Sequence, residues 1–332
     1  TGRLLLTIDP GSYLPEERWA GVSGLAFVAA DLLAMDRDGE EILLVDPLSG
    51  ILRRRIASPP GRKIAGIAAG GGVLAASLVG GGAVLEESYG WRWITDFAGA
   101  LSAPLETADG LVAVARPGRI EVYSKDELHL QRSIDLAGRS ARSVSLDGSG
   151  RLVAVIDGIV TAFAPDGSVA WKAEVDATVV RTAEDGSGTV AGTKDGSVVG
   201  FDHAGVEGFR AKLLDAAISG LAIGSSGLVA CTSTRVEGVG PDGRMSLLAS
   251  TTQHDEALVE VHPDGRAIAW SRGRAGDTSI IDLRSGRLDS RLPAVRFAFG
   301  PGEMRVGSLP DGKLRCWDGT HERWTVATAA AH

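Results

Sequence analysis

The sequence predicts an all-β protein built from a repeated four-stranded unit. One short apolar segment recurs eight times along the 332 residues, at spacings of 41, 38, 41, 37, 39, 39 and 37 residues. The segments that connect the predicted strands contain Asp-Gly and Pro-Asp-Gly sequences, which are typical of tight turns. No longer segment shows a helical period with capping residues. A fixed period of this length indicates a repeat architecture.

The recurring segment is an apolar strand with a small third residue, and we call it strand b. Examples are Val73-Leu-Ala-Ala76 and Leu152-Val-Ala-Val155. A small residue here predicts close packing of neighbouring sheets, because a larger side chain would hold them apart. The third position holds Ala34, Ala75, Ala113, Ala154, Ala191, Ala230, Ala269 and Val306.

Three further segments keep the same register around strand b. Strand a precedes it, as in Ile218-Ser-Gly-Leu-Ala-Ile223. Strand c follows it with a large apolar residue that is often followed by an acid, as in Phe201-Asp202. Strand d comes last and alternates, as in Val169-Ala-Trp-Lys-Ala-Glu-Val175. Each repeat therefore predicts four short strands, a to d.

A four-stranded unit of about 39 residues cannot bury both of its faces alone, whereas radial packing of such sheets as blades buries them. We therefore predict a single β-propeller of four-stranded antiparallel blades over residues 21–329, with eight blades and seven as the alternative. Residues 1–20 are a lead-in and residues 330–332 a tail. The segment Arg3-Leu-Leu-Leu-Thr-Ile-Asp9 resembles a strand d. We expect it to close the ring beside Cys316-Trp317, with Arg323-Trp-Thr-Val-Ala327 displaced or added outside.

These repeats resemble those of the quinoprotein-like and WD40-like β-propellers. The segments that begin Asp157-Gly-Ile-Val and Asp195-Gly-Ser-Val carry the quinoprotein-like signature, and Cys316-Trp-Asp318 contains a WD dipeptide. The resemblance covers residues 21–329, although no copy carries the Gly-His pair of WD40 repeats. It implies the architecture and no particular activity. A quinone-dependent enzyme would also need adjacent cysteines and an Asn-containing calcium site, which the sequence lacks.

The composition disfavours several classes of protein. A hydrophobic fraction of 44% with 23% charged residues does not fit disorder, and no apolar run is long enough to cross a membrane as a helix. The net charge of −8 disfavours a nucleic-acid partner. Cys231 and Cys316 lie two repeats apart, so we expect free thiols and a cytoplasmic protein, or an exported one if a leader was removed. The absence of Asn and the excess of Arg fit a thermostable protein or a GC-rich genome.

No catalytic, cofactor-binding or metal-binding residues are predicted. The fragment Asp36-Arg-Asp-Gly39 is expected to be a polar b–c turn, since the twelfth position of a calcium loop would fall on Pro47. The glycine runs at 70–72 and 80–82 lack the lysine and helix of a phosphate loop and predict turns. In Tyr89-Gly-Trp-Arg-Trp93 the two tryptophans share one strand face, which predicts that both pack between blades.

The longest loops carry the predicted partner-binding residues, because the d–a and b–c loops of a propeller emerge on one face and loops vary with function. We expect the loop 251–256 to lie beside the turn that contains Arg272-Gly-Arg274, and the basic run that ends at Lys63 to meet an acidic partner or to protect an edge strand. The predicted partner-binding residues are Gln253, His254, Asp255, Glu256, Arg272, Arg274, Asp277, Arg62 and Lys63.

The function predicted from these observations is a non-catalytic scaffold that binds another protein, as a monomeric propeller within a larger complex. It needs no cofactor, and it binds neither nucleic acid nor the membrane interior. The alternative is an enzyme or small-molecule binder that uses the central channel, either quinoprotein-like or a propeller hydrolase. Propellers support many unrelated tasks, so the fold does not decide between the two.

Overall fold

The computed structural model shows a ring of sheets made of short β-strands. It describes residues 6–8, 22–29, 31–37, 39–70, 72–87, 90–99, 104–108, 110–183, 186–212, 216–224, 227–232, 235–239, 245–250, 257–261, 267–272, 277–282, 287–294, 296–300, 302–309, 313–319 and 321–326.

The first four sheets each contain four consecutive strands, which pair antiparallel in chain order from a to d. Blade 1 is β2 (Val22–Ala29), β3 (Leu32–Arg37), β4 (Glu41–Val45) and β5 (Leu52–Ala57). Blade 2 is β6 (Ile64–Gly70), β7 (Val73–Leu78), β8 (Ala83–Glu87) and β9 (Gly90–Thr95). Blade 3 is β10 (Leu105–Ala108), β11 (Leu111–Arg116), β12 (Arg119–Ser124) and β13 (Leu130–Asp135). Blade 4 is β14 (Ala141–Leu146), β15 (Leu152–Ile156), β16 (Ile159–Phe163) and β17 (Val169–Glu174).

The remaining sheets repeat the same order, and the last of them gains a fifth strand. Blade 5 is β18 (Ala177–Thr182), β19 (Gly188–Thr193), β20 (Ser197–Asp202) and β21 (Glu207–Lys212). Blade 6 is β22 (Gly220–Gly224), β23 (Gly227–Cys231), β24 (Arg235–Val239) and β25 (Met245–Ser250). Blade 7 is β26 (Ala257–Val261), β27 (Ala267–Arg272), β28 (Asp277–Asp282) and β29 (Arg287–Leu292). Blade 8 is β30 (Arg296–Phe299), β31 (Met304–Ser308), β32 (Leu314–Asp318) and β33 (His321–Val326), with β1 (Leu6–Ile8) outside β33.

The first strand of each blade contacts the first strand of the next, and β30 contacts β2, which closes the ring. The predicted all-β propeller of four-stranded antiparallel blades is therefore confirmed. Among the described residues, strand pairing gives seven sheets of four strands and one sheet of five. Strand a is innermost and strand d outermost, so the d–a and b–c loops share one face of the ring and the c–d turns the other.

The N-terminal strand joins the last blade, but not where the sequence predicted. β1 runs parallel to β33, with Leu6 opposite Trp324, whereas β33 keeps the antiparallel place beside β32, with Cys316 opposite Trp324. The expected insertion beside Cys316-Trp317 is thus wrong. The reason is local: β33 follows β32 after a short turn, and closing a short loop costs less chain entropy than recruiting the distant N-terminus.

The core lies between blades. The predicted small residues of strand b are buried there, and all seven alanines are at most 1% exposed. Each hydrophobic cluster joins two neighbouring blades; one of them places Ala113 and Ile120 of blade 3 against Val144 and Leu152 of blade 4. The small strand-b residue therefore lets two sheets approach closely, as the repeat predicted.

A polar contact recurs at the outer edge of four consecutive blades. The third residue of strand d donates a hydrogen bond to a carbonyl in the c–d turn of the following blade, at 2.5 to 3.2 Å. The contact satisfies a turn carbonyl and fixes the angle between neighbouring blades. The pairs are Arg54 with Glu87, Arg92 with Lys125, Arg132 with Ala164 and Trp171 with His203.

Both cysteines are free, as their separation by two repeats predicted, and both are fully buried. Burial raises the pKa of Cys231 to about 11 and that of Cys316 to about 12. Because the thiolate is the reactive form, we expect neither thiol to react with Ellman's reagent in native protein at about pH 8. Two thiols per chain should react after unfolding in guanidinium chloride. Rapid labelling of either cysteine under native conditions would contradict this placement.

Candidate functional site

The predicted partner-binding residues fall in two separate sectors of the ring. Arg62 and Lys63 lie in the d–a loop between β5 and β6, at the junction of blades 1 and 2. Arg272 and Asp277 lie opposite each other in the backbone register of β27 and β28, in blade 7. Gln253, His254, Asp255, Glu256 and Arg274 lie outside the described residues. The structure therefore does not bring the two groups together, and their binding role stays a prediction.

Arg62 is held in one orientation by its neighbours in blade 2. Its Nη1 donates to the carbonyl of Gly81 at 3.0 Å, and its Nη2 donates to Oδ1 of Asp96 at 3.1 Å. Its guanidinium carbon lies 5.9 Å from the centre of the Trp93 ring, within the range of a cation–π contact. Lys63 is exposed and pairs with Glu40 at 3.5 Å. The basic loop is thus partly neutralised and fixed.

The aromatic segment of blade 2 behaves differently from its prediction. Trp91 and Trp93 do share one face of β9, and Trp91 packs partly buried against the cluster between blades 1 and 2. Trp93, however, is 44% exposed, so the prediction that both pack between blades is wrong for this residue. The ring lies beside the glycine turn at 80–82, where a Cβ on Gly82 would be 3.4 Å from Cζ3 of Trp93, and Arg62 lies over the ring.

Trp93 belongs to a mixed surface on the loop face of the ring, which we call the Trp93 patch and define as Arg62, Lys63, Val79, Trp93 and Asp96. Val79 is 45% exposed, and its backbone amide donates to the carbonyl of Lys63 at 2.7 Å. The patch therefore combines an oriented Arg, an exposed indole and an exposed aliphatic side chain. Trp and Arg in a fixed arrangement are enriched among the residues that dominate protein interfaces.

The described residues of the fragment, 36, 37 and 39, lie at the predicted b–c turn between β3 and β4. Asp36 is buried and its Oδ1 accepts a hydrogen bond from the amide of Gly39 at 2.9 Å. This is a turn-closing role, and Gly70, Gly72 and the run at 80–82 likewise lie at or next to the ends of strands β6, β7 and β8. Among the described residues no group of His, Cys, Asp or Glu could hold a metal ion, and no helix could cross a membrane.

A second candidate site lies in the central channel, against the inner strands of blades 2 to 5. A cavity of about 380 Å³ is lined there by Ser77, Glu106, Arg142, Ser143 and Arg181, among others. This volume suits a small ligand. Three of these five side chains are charged, and they come from β10, β14 and β18 of three consecutive blades.

Glu106 and Arg181 form the electrostatic centre of the cavity. Arg181 Nη1 donates to Oε2 of Glu106 at 3.4 Å, and both side chains are partly exposed to the cavity. Burial raises the pKa of the Glu106 carboxyl, and the nearby Arg181 opposes that shift. A desolvated carboxylate with one long contact to a guanidinium leaves other Arg donors available.

The sequence did not single out Glu106, Arg142 or Arg181. The strands that carry these residues fit the repeat. What is unusual is a charged residue at these positions of an inner strand. Glu106 stands opposite the small Ala113 of strand b, where blades 1, 4 and 5 carry Ala26, Val144 and Val180. Six of the eight repeats fill this inner-strand position with an apolar residue, and blade 7 carries Glu260 there, so the charge at position 106 was the available signal. Recognising this signal required the exact strand register, which the repeat predicts only approximately.

Comparison with known proteins supports the fold alone. No protein-family model and no curated protein matches the sequence. The crystal structure of the computationally designed Ika8 protein superposes with a TM-score of 0.73 at 15% identity, covering 96% of this chain and 100% of Ika8. The β-propeller domain of Cps50 (Swd1) from Myceliophteria thermophila gives a TM-score of 0.57 at 11% identity, covering 91% and 98%. The chain thus has the predicted WD40-like propeller architecture.

Proposed function

We propose that this chain is a non-catalytic propeller scaffold that binds another protein through the Trp93 patch, as one component of a larger complex. The observation that carries this proposal is Trp93, an indole 44% exposed beneath an Arg62 that two hydrogen bonds hold in place. A rigid aromatic anchor loses little conformational entropy on binding, so it contributes strongly to affinity. The predicted residues Arg62 and Lys63 belong to this patch.

The patch also offers a polar rim around an apolar centre, which is the usual anatomy of a protein interface. Trp93 and Val79 form the centre, and Lys63 with Asp96 forms the rim. The charges on the rim have opposite signs and are already paired within the chain. We therefore expect the partner to be selected by the fit of an apolar side chain or groove to Trp93 more than by its net charge.

A site-specific photo-crosslinker tests this assignment. p-Benzoylphenylalanine at position 93 should give a discrete adduct with a partner in the native host, and Arg62→Ala should reduce it. The matched control is the same probe at position 206, since Val206 is 62% exposed but lies in the c–d turn between β20 and β21, on the other face. Equal adducts at both positions, or none at position 93, would overturn the proposal.

Truncation of the indole should weaken the isolated complex without weakening the fold. We expect Trp93→Ala to raise the Kd by about 30-fold or more, the effect of losing an interface hot spot. The unfolding midpoint should stay near that of the parent, because the ring is half exposed. Val206→Ala should change neither quantity. A Trp93→Ala variant that binds its crosslinked partner as tightly as the parent would exclude the indole as the anchor.

A further inference from the structure

We propose that the central cavity binds a small oxyanion, a carboxylate or a phosphate, through the guanidinium groups of Arg142 and Arg181. This site is separate from the Trp93 patch, which lies at the loop rim of blades 1 and 2. Guanidinium groups recognise carboxylate and phosphate oxygens with paired, charge-assisted hydrogen bonds. The cavity of about 380 Å³ admits a small organic anion and excludes a folded protein.

Arg142 occupies an unusual position in its strand. Four inner strands, β2, β6, β14 and β18, contain a bulge at their second residue. A bulge leaves one residue outside the ladder and redirects its side chain. The bulged residues are Ser23, Ala65, Arg142 and Thr178, so only blade 4 places a long cation there.

The equivalent residue in blade 5 shows what the position does for the fold. The hydroxyl of Thr178 donates to the carbonyls of Gly192 at 3.0 Å and Ile218 at 2.6 Å, and so ties blade 5 to blade 6. Arg142 makes no comparable contact. Within the described part of the chain it has no hydrogen bond and no ion pair, and its exposed side chain lines the cavity. The fold therefore does not require an arginine at position 142.

The backbone at Arg181 is held by hydrogen bonds on either side of it. The amide of Val180 donates to Oγ of Ser143 at 3.3 Å, and the amide of Thr182 donates to Oγ of Ser145 at 3.0 Å. These two bonds join the inner strands of blades 4 and 5, so they set the position of Arg181 relative to Arg142. A fixed backbone places the two arginines at a set distance, so a ligand has to order only their side chains.

The charged side chains that line the cavity favour an anion. Arg142 and Arg181 contribute two positive charges and Glu106 one negative charge, which leaves one net positive charge among the described lining residues. Glu106 contacts Arg181 through one nitrogen only, at 3.4 Å. A positive cleft with low-dielectric walls concentrates small anions from solution. Glu106 then acts as an internal competitor that a stronger oxyanion replaces at Arg181.

Calorimetric titration of the full chain with inorganic phosphate and, separately, with malonate tests the site and distinguishes the two oxyanion sources. Binding of either probe supports the proposal. Arg142→Met should weaken that binding by about tenfold or more, since a charge-assisted hydrogen bond is lost. Glu106→Gln should strengthen it by severalfold, because the competing carboxylate is removed.

Arg139→Met is the matched control, because Arg139 is exposed three residues before Arg142, pairs with Asp157 at 3.9 Å and does not line the cavity. It should change the affinity by less than about twofold. Equal losses in Arg139→Met and Arg142→Met would indicate a general charge effect and overturn the site. Absence of binding of both probes to parent and Glu106→Gln proteins would overturn it as well. Neither result would bear on the crosslink at position 93, which tests a different surface.

Discussion

Glu121→Ala is expected to lower the free energy of unfolding by about 3–5 kcal/mol, because it removes one partner from a buried charged network. Glu121 is 3% exposed in β12. Its carboxylate accepts hydrogen bonds from the Tyr123 hydroxyl at 2.8 Å and pairs with Arg119 at 2.6 Å and with Arg116 at 3.4 Å. The substitution leaves Arg116 and Tyr123 without this acceptor in a site that water reaches poorly.

The network also joins two blades, which adds to the expected loss. Arg116 donates to the hydroxyl of Thr95 at 2.9 Å and lies 5.2 Å from the Phe97 ring, so it links blade 3 to the end of blade 2. Burial raises the pKa of Tyr123 to about 12, and the hydrogen bond to Glu121 contributes to that shift. The tyrosine is therefore a permanent donor near neutral pH, and it needs an acceptor.

Equilibrium denaturation with guanidinium chloride measures the effect. Glu207→Ala is the matched control, since Glu207 forms an exposed pair with Arg210 at 2.8 Å and should cost at most about 1 kcal/mol. Glu121→Gln should fall between the two, because an amide oxygen still accepts from Tyr123. A loss for Glu121→Ala no larger than that for Glu207→Ala would mean that the network does not hold blades 2 and 3 together.

The sequence predicted the strands well because the period fixed their order. Strand b was recognisable from its alanine, and Ala113 and Ala154 are buried where the repeat placed them. The tight turns were equally predictable from their residues. In Asp157-Gly158 both residues adopt positive φ angles, 52° and 79°, which is the conformation that a two-residue hairpin requires. Local signals of this kind do not depend on how distant parts of the chain meet.

The contacts between blades were not predictable in the same way. Glu106 and Arg181 are 75 residues apart, and their meeting depends on which residues of two inner strands face the channel. The exposure of Trp93 depends on the shape of a glycine turn in the neighbouring hairpin. The place of β1 depends on whether a local strand or a distant one pairs with β32 first. Each of these outcomes is set by tertiary geometry, which a sequence period does not encode.

The unpredicted charges are nonetheless informative, because a repeat protein supplies its own reference. Thr178 shows what the bulge position needs structurally, and Arg142 departs from that need without a local contact. Places where a residue breaks the pattern of its repeat without a structural gain are expected at functional sites. The same reasoning applies to Trp93, an apolar side chain left at the surface. Arg142 and Trp93 therefore mark two different surfaces of the ring, the central cavity and the Trp93 patch.

Gly39→Ala should be the other strongly destabilising substitution, because two separate costs meet at this residue. Gly39 has a φ of +72°, a left-handed conformation that costs an L-residue about 1–2 kcal/mol. An added Cβ would also lie 2.5 Å from the carbonyl oxygen of Ile64, the first residue of the next blade. That carbonyl belongs to the backbone, and the Ile64 amide donates to the carbonyl of Gly39 at 2.7 Å, so the two segments are already held in contact.

Gly61→Ala separates these two costs. Gly61 has nearly the same φ of +71°, but no atom lies within 4 Å of the place that its Cβ would occupy. It should therefore lose only the conformational part, about 1–2 kcal/mol, whereas Gly39→Ala should lose about 2–5 kcal/mol because overpacking adds to it. Denaturation midpoints and slopes of the two variants give the difference directly. Equal losses would show that blades 1 and 2 can separate slightly at the turn that contains Gly39, and that the contact with Ile64 does not fix their spacing.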